Sequence, residues 1–376
     1  MSERKSIPQA YEGLQERLDK GPEGAPKADE LFEILRILFT EEEAFVGSRM
    51  PMLPAGVEAI AQKTGMEPEP LSRVLASMAD KGLLVDLVGR KKTKYVLAPP
   101  VIGFLEYAFM KRNEHLPMKR LAELAETYLK DHLLPKELAA AQTQRTRTLP
   151  YEDALGEMHS EVVPYERARE LILSSTRAQG FRAPGGGALG VCFCRREAGL
   201  RGHGCKAPVE DICMGLGRGG DYLVRHGFAR PATVDELLAK LDEAEGLGLV
   251  HTTDNVQEKG TFMCHCCGCC CHLLRSINEL NLPGAVAPSS LAAQVDAEAC
   301  TACGLCEKRC QVNAVLVDET AVVHPERCLG CGVCVTTCPA EAIMLVKREN
   351  APVPPKNIME LFSRLVYEKG RTQHYM

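Results

Sequence analysis

The chain has 376 residues, enough for two or three domains that each bury a core, and carries 18 cysteines, 45 basic and 50 acidic side chains for a formal charge of -5. That balance makes no general electrostatic case for nucleic-acid binding. The polar start MSERKSIPQAYEGLQ lacks the apolar stretch of a secretory leader, and no apolar run is long enough to span a bilayer. The expected setting is therefore cytoplasmic and reducing, with thiolates open to metal rather than locked in disulfides, and so dense a cysteine content suggests anaerobic or microaerobic life.

Residues 1–27 are polar and rich in Pro and Gly and read as a loosely docked arm. From Ala28 the pattern changes: Leu31, Ile34, Leu35 and Leu38 in ADELFEILRILFT fall at helical spacing and give one apolar face. AGVEAIAQKTG and EPLSRVLASMADKGL predict two more helices, with Gly65 and Gly82 as stops, and LLVDLVG, RKKT and KYVLAPP predict a hairpin. Three helices and a hairpin resemble a winged helix, a fold often used on DNA, with the third helix as reader and Arg90, Lys91, Lys92 and Lys94 as wing. Residues 1–100 nevertheless hold 14 basic and 16 acidic side chains, and Glu67 and Glu69 at the entry of the third helix would repel phosphate. The module is read as a structural or docking unit, with DNA not expected as a partner.

VIGFLEYAFMKRN and MKRLAELAETYLKDHL predict further helices that pack this module onto the middle of the chain. TQRTRTLP is a polar strand candidate and YERARELILSS a helix. The glycine-rich APGGGALG lacks the G-x-x-x-x-G-K-[ST] phosphate cradle and is expected to be a flexible connector. DYLVRHG and TVDELLAKLDEAEGLG predict two helices, the second capped by Thr233.

These two helices separate two islands of cysteine. Cys192, Cys194, Cys205 and Cys213 form the first, and Cys264, Cys266, Cys267, Cys269, Cys270 and Cys271, in FMCHCCGCCCHLL, form the second. Four soft thiolates suffice for one cube or one zinc ion, so ten could hold one or two further centres, iron-sulfur or zinc, or remain in part a thiol-redox set. Adjacent cysteines in an extended segment point to opposite faces, so HCCGCCC could serve two sites, with Gly268 allowing a sharp bend. Arg195, Arg196, Arg201 and Lys206 could offset the charge of a thiolate-ligated centre. His203, His265 and His272 read as cap or surface residues rather than ligands.

Two copies of C-x-x-C-x-x-C-x-x-x-C come after these islands: Cys300, Cys303, Cys306, Cys310, then Cys328, Cys331, Cys334, Cys338 and Pro339. This spacing wraps three thiolates round one iron-sulfur cube and sends the fourth to a neighbouring cube. Cys300, Cys303, Cys306 and Cys338 are assigned to one 4Fe-4S cluster, and Cys328, Cys331, Cys334 and Cys310 to the other. Gly304 and Gly332 leave room for backbone N–H groups to approach and for positive φ, and each fourth cysteine is expected to open a short helix. Zinc also binds C-x-x-C pairs, but not four cysteines per copy in this interlocked order.

Residues from about 295 to 346, with CTACGLCEKRCQVNAV and CLGCGVCVTTCPAEAI, resemble the bacterial two-cluster ferredoxins. Gln311 departs from that family's usual proline, which changes loop stiffness but not the ligand set. Less specifically, the region upstream resembles the cysteine-rich part of iron-sulfur proteins of anaerobic bacteria, which implies no reaction.

The fold expected is α+β and multidomain: an arm at 1–27, a winged-helix-like module at 28–143, a cysteine-rich α+β central domain at 144–290, a ferredoxin-like two-cluster domain at 291–350 and a C-terminal helix at 351–376. IMELFSRLVYE carries a stripe at Ile358, Leu361, Phe362 and Leu365 that should pack on its own protein. The function expected is electron transfer, one electron at a time, to a redox partner protein or oxidoreductase complex. The alternatives are a redox-sensing winged-helix regulator, or an oxidoreductase subunit with chemistry at the central cysteines.

Overall fold

In the computed structural model, which describes residues 8–89, 91–138, 140–177 and 185–375, the N-terminal core begins earlier than its polar sequence suggests. Helix α1 (Gln9–Asp19) lies in the segment expected as an arm, yet it buries Tyr11, Leu14 and Leu18, and the Tyr11 hydroxyl donates to Phe39 O at 3.0 Å. One narrow apolar face among charges is enough to dock a helix, and average polarity conceals it.

Helix α2 (Asp29–Leu38) carries the expected stripe, with Leu31, Ile34 and Leu35 fully buried. Helix α3 (Glu41–Arg49), in EEEAFVGSR, is an element the apolar periodicity does not reveal. Thr40 and Glu43 form a capping box there, and the acidic first turn complements the helix dipole. Helix α4 (Val57–Thr64) and helix α5 (Pro68–Lys81) end at Gly65 and Gly82 with φ of 72° and 78°. Strands β1 (Leu84–Val88) and β2 (Thr93–Leu97) form the hairpin, extended by a bridge from Ala55 to Tyr95; Arg90 lies outside the described residues.

Helix α6 (Leu105–Met110) and helix α7 (Met118–Thr127) come next, and α7 runs through a wide turn at Tyr128–Leu133 into helix α8 (Leu134–Leu138). Pro135 has no N–H to donate, which accounts for the loosened ladder.

The central sheet is six-stranded and wholly antiparallel. Strand β3 (Thr146–Leu149) is buried throughout despite its polar sequence, and helix α9 (Ala168–Arg177) covers the sheet. Gly186–Gly190, expected as flexible connector, is strand β4, bonded on both sides; Ala183 and Pro184 lie outside the described residues. Its glycines serve close packing, since a Cβ at Gly187 would stand 2.4 Å from Leu237 Cδ1. Helix α10 (Phe193–Leu200), strand β5 (Cys213–Gly215), helix α11 (Gly217–Arg225), strand β6 (Ala229–Thr233), helix α12 (Val234–Gly246), strand β7 (Val250–Asp254), strand β8 (Phe262–Cys266) and helix α13 (His272–Glu279) complete it, in the order β3-β7-β8-β5-β4-β6. Thr233 caps α12 through a capping box with Glu236.

The N-terminal block docks on this sheet through α11. The Tyr222 hydroxyl donates to Leu84 O at 2.8 Å, Arg225 pairs with Asp86 at 2.8 Å and His226 with Asp80 at 2.7 Å.

Strand β9 (Leu291–Val295), helix α14 (Leu305–Arg309), strand β10 (Val315–Val317), strand β11 (Ala321–Val323) and strand β12 (Ile343–Lys347) form the C-terminal unit, in which β9 pairs with β12 and β10 with β11. Its core is continuous with that of the central domain: Cys306 and Val333 share one apolar cluster with Val250, Leu274 and Ile277. Helix α15 (Ile358–Glu368) buries Leu361 and Leu365 against Val256, and beyond it Lys369 and Arg371 hold the buried Glu137 at 2.8 and 2.9 Å. Among the described residues no helix is long and apolar enough to cross a membrane.

Glu106 on α6 is buried, its carboxylate accepting the Gly103 N–H at 2.7 Å, and burial pushes its pKa up to about 8. The folded chain therefore holds that proton more tightly than the unfolded chain, and stability falls as pH rises from about 4.5 to about 8. Glu106→Gln should flatten that decline in a series of thermal midpoints against pH. A slope identical to wild type would mean that the carboxyl is ionised in the fold.

Candidate metal centres

In the C-terminal unit, the four cysteines Cys300, Cys303, Cys306 and Cys338 line one small cavity with Val317, Ala321 and Ile343. The second group is assembled from both copies: burial pushes Cys331 up to about 12, opposed by the Val333 N–H and reinforced by the neighbouring Cys310 and Cys328 thiols. Cys334 is likewise pushed up, by burial and then by Cys331, Cys328 and Cys310.

Backbone donors point at sulfur. Ala314 N donates to Cys310 Sγ at 3.2 Å and Ala321 N to Cys300 Sγ at 3.4 Å. Gly304 and Gly332 have φ of 73° and 80°, and a Cβ at Gly332 would stand 2.6 Å from Ala154 Cβ. Soft donors in two groups of four, each met by backbone N–H groups in a mostly apolar surround, fit iron-sulfur clusters. One expectation is corrected: Cys310 follows the last turn of α14 and Cys338 follows a turn, so neither opens a helix. Five residues after Gly304 already close the helical turn, leaving Cys310 at its C-terminal end.

The ten central cysteines fall into two groups. Cys192, Cys194, Cys213, Cys264, Cys266 and Cys271 line a largely apolar cavity of about 160 Å³ between the central sheet and the N-terminal block. Within this group each thiol lies beside two others, in the closed order 192, 194, 271, 266, 264, 213. Pairing explains the arrangement: Met214 faces Met263, which brings Cys213 to Cys264, and β8 presents Cys264 and Cys266 two residues apart on one face. Donation from Cys194 and Cys213, aided by Arg195, holds Cys192 well below the usual thiol range, and donation from Cys194 and Cys266 does the same for Cys271. Cys194, Cys213, Cys264 and Cys266 are pushed up.

The second group is Cys205, Cys267, Cys269 and Cys270, whose sulfurs all lie within 4.8 Å of one another. Cys205 Sγ is 3.9 Å from Cys267 Sγ, and Cys269 Sγ is 3.8 Å from Cys270 Sγ. Cys267 also borders the large cavity.

Of the basic residues considered as counter-charges only Arg195 is buried at the thiols, bonded to Pro208 O and His265 O at 2.9 and 2.7 Å. Burial opposes its charge, but Cys192 and Cys267 more than offset that cost. Arg196 instead pairs with Glu210, Arg201 with Glu197 and Glu126, and Lys206 is exposed. The histidines are corrected too. His203 is exposed, but His265 is buried with Nδ1 2.8 Å from His251 Nδ1, and His272 is buried against Glu197 and stacked on Phe193. His265 shares a face of β8 with the fully buried Met263 two residues earlier, and that spacing was the signal that could have placed it inside.

Gln311, which departs from the ferredoxin pattern, has a position of its own. Its Oε1 accepts the Gly268 N–H at 2.8 Å and its Nε2 donates to Gly248 O at 2.9 Å. It thus joins the residue after Cys310 to the turn between Cys267 and Cys269.

Residues 293–316 and 321–344 each match the 4Fe-4S binding domain family. No curated protein and no solved structure matches the chain. The C-terminal unit is therefore a ferredoxin-like 4Fe-4S domain of two adjacent motifs, and the match does not extend to the central domain.

A Cβ at Gly268 would stand 2.1 Å from Gln311 O. Gly268→Ala should cost about 1–3 kcal/mol in denaturant unfolding, because the obstruction is backbone rather than a movable side chain. An unchanged midpoint would show that the junction has slack.

Proposed function

We propose that the protein relays single electrons between a redox partner and its central domain through two 4Fe-4S clusters, held by Cys300, Cys303, Cys306 and Cys338 and by Cys328, Cys331, Cys334 and Cys310. Such clusters, when bound, supply one-electron redox chemistry whose potential depends on burial and on hydrogen bonds to sulfur. The chain's own part is to bury the thiolates, direct backbone N–H groups at Cys300 and Cys310, and fix the two domains against each other. The central thiols are read as one or two further metal centres on the same route.

One observation carries this reading. Gln311 follows Cys310 and its side-chain oxygen accepts the backbone N–H of Gly268, so one hydrogen bond links the residue next to a ferredoxin thiol with the turn that carries the central thiols. A separate docking partner is not needed to bring the two together.

The N-terminal module fits a winged-helix-like docking unit. Its bridge at Ala55 supplies a third extended segment beside the hairpin, and the end of α5 and strand β1 are occupied by Tyr222, Arg225 and His226. The cavity of about 160 Å³ favours a second reading, an oxidoreductase subunit in which a small apolar substrate meets the central thiols. Under that reading Cys194→Ser abolishes turnover in reduction assays while the ferredoxin spectrum stays intact, and undiminished turnover removes it.

Anaerobically purified protein should contain about eight irons in the C-terminal domain, with matching acid-labile sulfide and paramagnetic signals on reduction. Colourless protein with zinc as its sole metal would overturn the proposal. Gln311→Ala should leave iron content unchanged but slow re-equilibration of electrons between the domains after rapid partial reduction; an unaltered rate would remove Gln311 from the route.

A further inference from the structure

We propose that Cys205, Cys267, Cys269 and Cys270 hold a single tetrahedral metal ion rather than an iron-sulfur cube. The inference deepens the reading of the central thiols as metal ligands, and it divides the ten into a four-thiol site and a six-thiol cavity.

Sulfur spacing carries it. Four thiolates about 2.3 Å from one zinc ion stand about 3.8 Å apart along each edge of the tetrahedron. The two measured pairs are 3.9 and 3.8 Å, and no pair of the four exceeds 4.8 Å. A cube cannot use that spacing, because four irons and their sulfides must lie between the ligand sulfurs. Soft sulfur donors in tetrahedral array select zinc or iron over harder ions.

Charge is compatible with it. A divalent ion with four thiolates carries two negative charges, and Arg195, 1% exposed, stands between the two thiol groups, beside Cys192 and Cys267. Its Nε has no hydrogen-bond partner, and its other two nitrogens donate to the carbonyls Pro208 O and His265 O. A buried guanidinium favours anions on its flanks, and a thiolate-bound ion at Cys267 would be one of them.

The ligand order comes from the fold. Gly268 bends the chain so that Cys267, Cys269 and Cys270 gather on one side, while Cys266 and Cys271 face the cavity. Cys205 arrives from the loop after α10 and closes the set across 62 residues of sequence. The ion would tie that loop to the turn that Gln311 touches. Zinc would make the site structural and iron would make it redox-active; the thiolate set suits both.

The test uses the full chain, purified anaerobically, with metals counted by mass spectrometry beside acid-labile sulfide. Cys205→Ser and Cys269→Ala are the variants, since Cys269 is exposed and Cys205 only half-buried. Each should reduce one mononuclear ion from about one per chain to about a tenth of that, with labile sulfide and the ferredoxin signals unchanged. Loss of zinc alone identifies a structural zinc site; loss of one iron with a high-spin ferric signal identifies a mononuclear iron site. Loss of iron in fours together with sulfide would overturn the single-ion assignment while leaving the central thiols as ligands. Unchanged content of every metal would overturn both the assignment and the ligand role of these four. Cobalt provides a second measurement: the wild-type chain loaded with cobalt should show thiolate charge-transfer bands that both variants lose, and their persistence would also overturn the proposal.

Discussion

Antiparallel pairing of β5 with β8 is the constraint on which the central domain depends. It sets Met214 opposite Met263 and so brings Cys213 to Cys264, while β4 on the other side of β5 leads directly into Cys192. A slip of one residue would send every side chain of a strand to the opposite face, and the six-thiol cavity would lose Cys264 and Cys266 together. The buried residues Met263 and Met214 in the sheet core make that slip costly, because residues of other size, Cys213, Gly215, Phe262 and Cys264 among them, would have to fill the space packed by the two methionines.

The thiols impose a second constraint, that of charge. Buried sulfur is tolerable only when neutral, metal-bound or faced by a cation. The ferredoxin-like domain meets it with backbone N–H groups at Cys300 and Cys310, the central domain with Arg195 and with the N–H groups that follow Cys192 and Cys271. The difference has its origin in chain geometry. Tight loops at Gly304 and Gly332 turn the backbone towards sulfur, whereas the strands around the cavity spend their N–H groups on one another, so the donors come from the first turns of α10 and α13 and the positive charge from Arg195.

The same logic explains why the C-terminal and central domains share one core. Val250, Leu274 and Ile277 are buried in one apolar cluster with Val333 and Cys306, which joins the two domains. Gln311, replacing a residue that could offer no side-chain hydrogen bond, adds the polar stitch at the edge of that contact.

The two C-terminal 4Fe-4S motifs were legible because two-residue gaps in a loop bring three sulfurs together locally, while Cys338 meets Cys300, Cys303 and Cys306 only through the fold. The helices of Leu31, Leu35, Leu71 and Leu75 were legible for a similar reason, since a 3.6-residue period is a property of the segment. The docked α1, the strand at Gly186–Gly190, the interior His265 and His272 and the use found for Gln311 were not. Each depends on a partner far away in sequence: α3 for α1, Leu237 for Gly187, His251 for His265 and Gly268 for Gln311. The sequence by itself determined that ten thiols gather in the middle of the chain and eight at its end; only the tertiary structure decided which of the ten meet, because strand register and one buried arginine set those distances and no spacing along the chain encodes them.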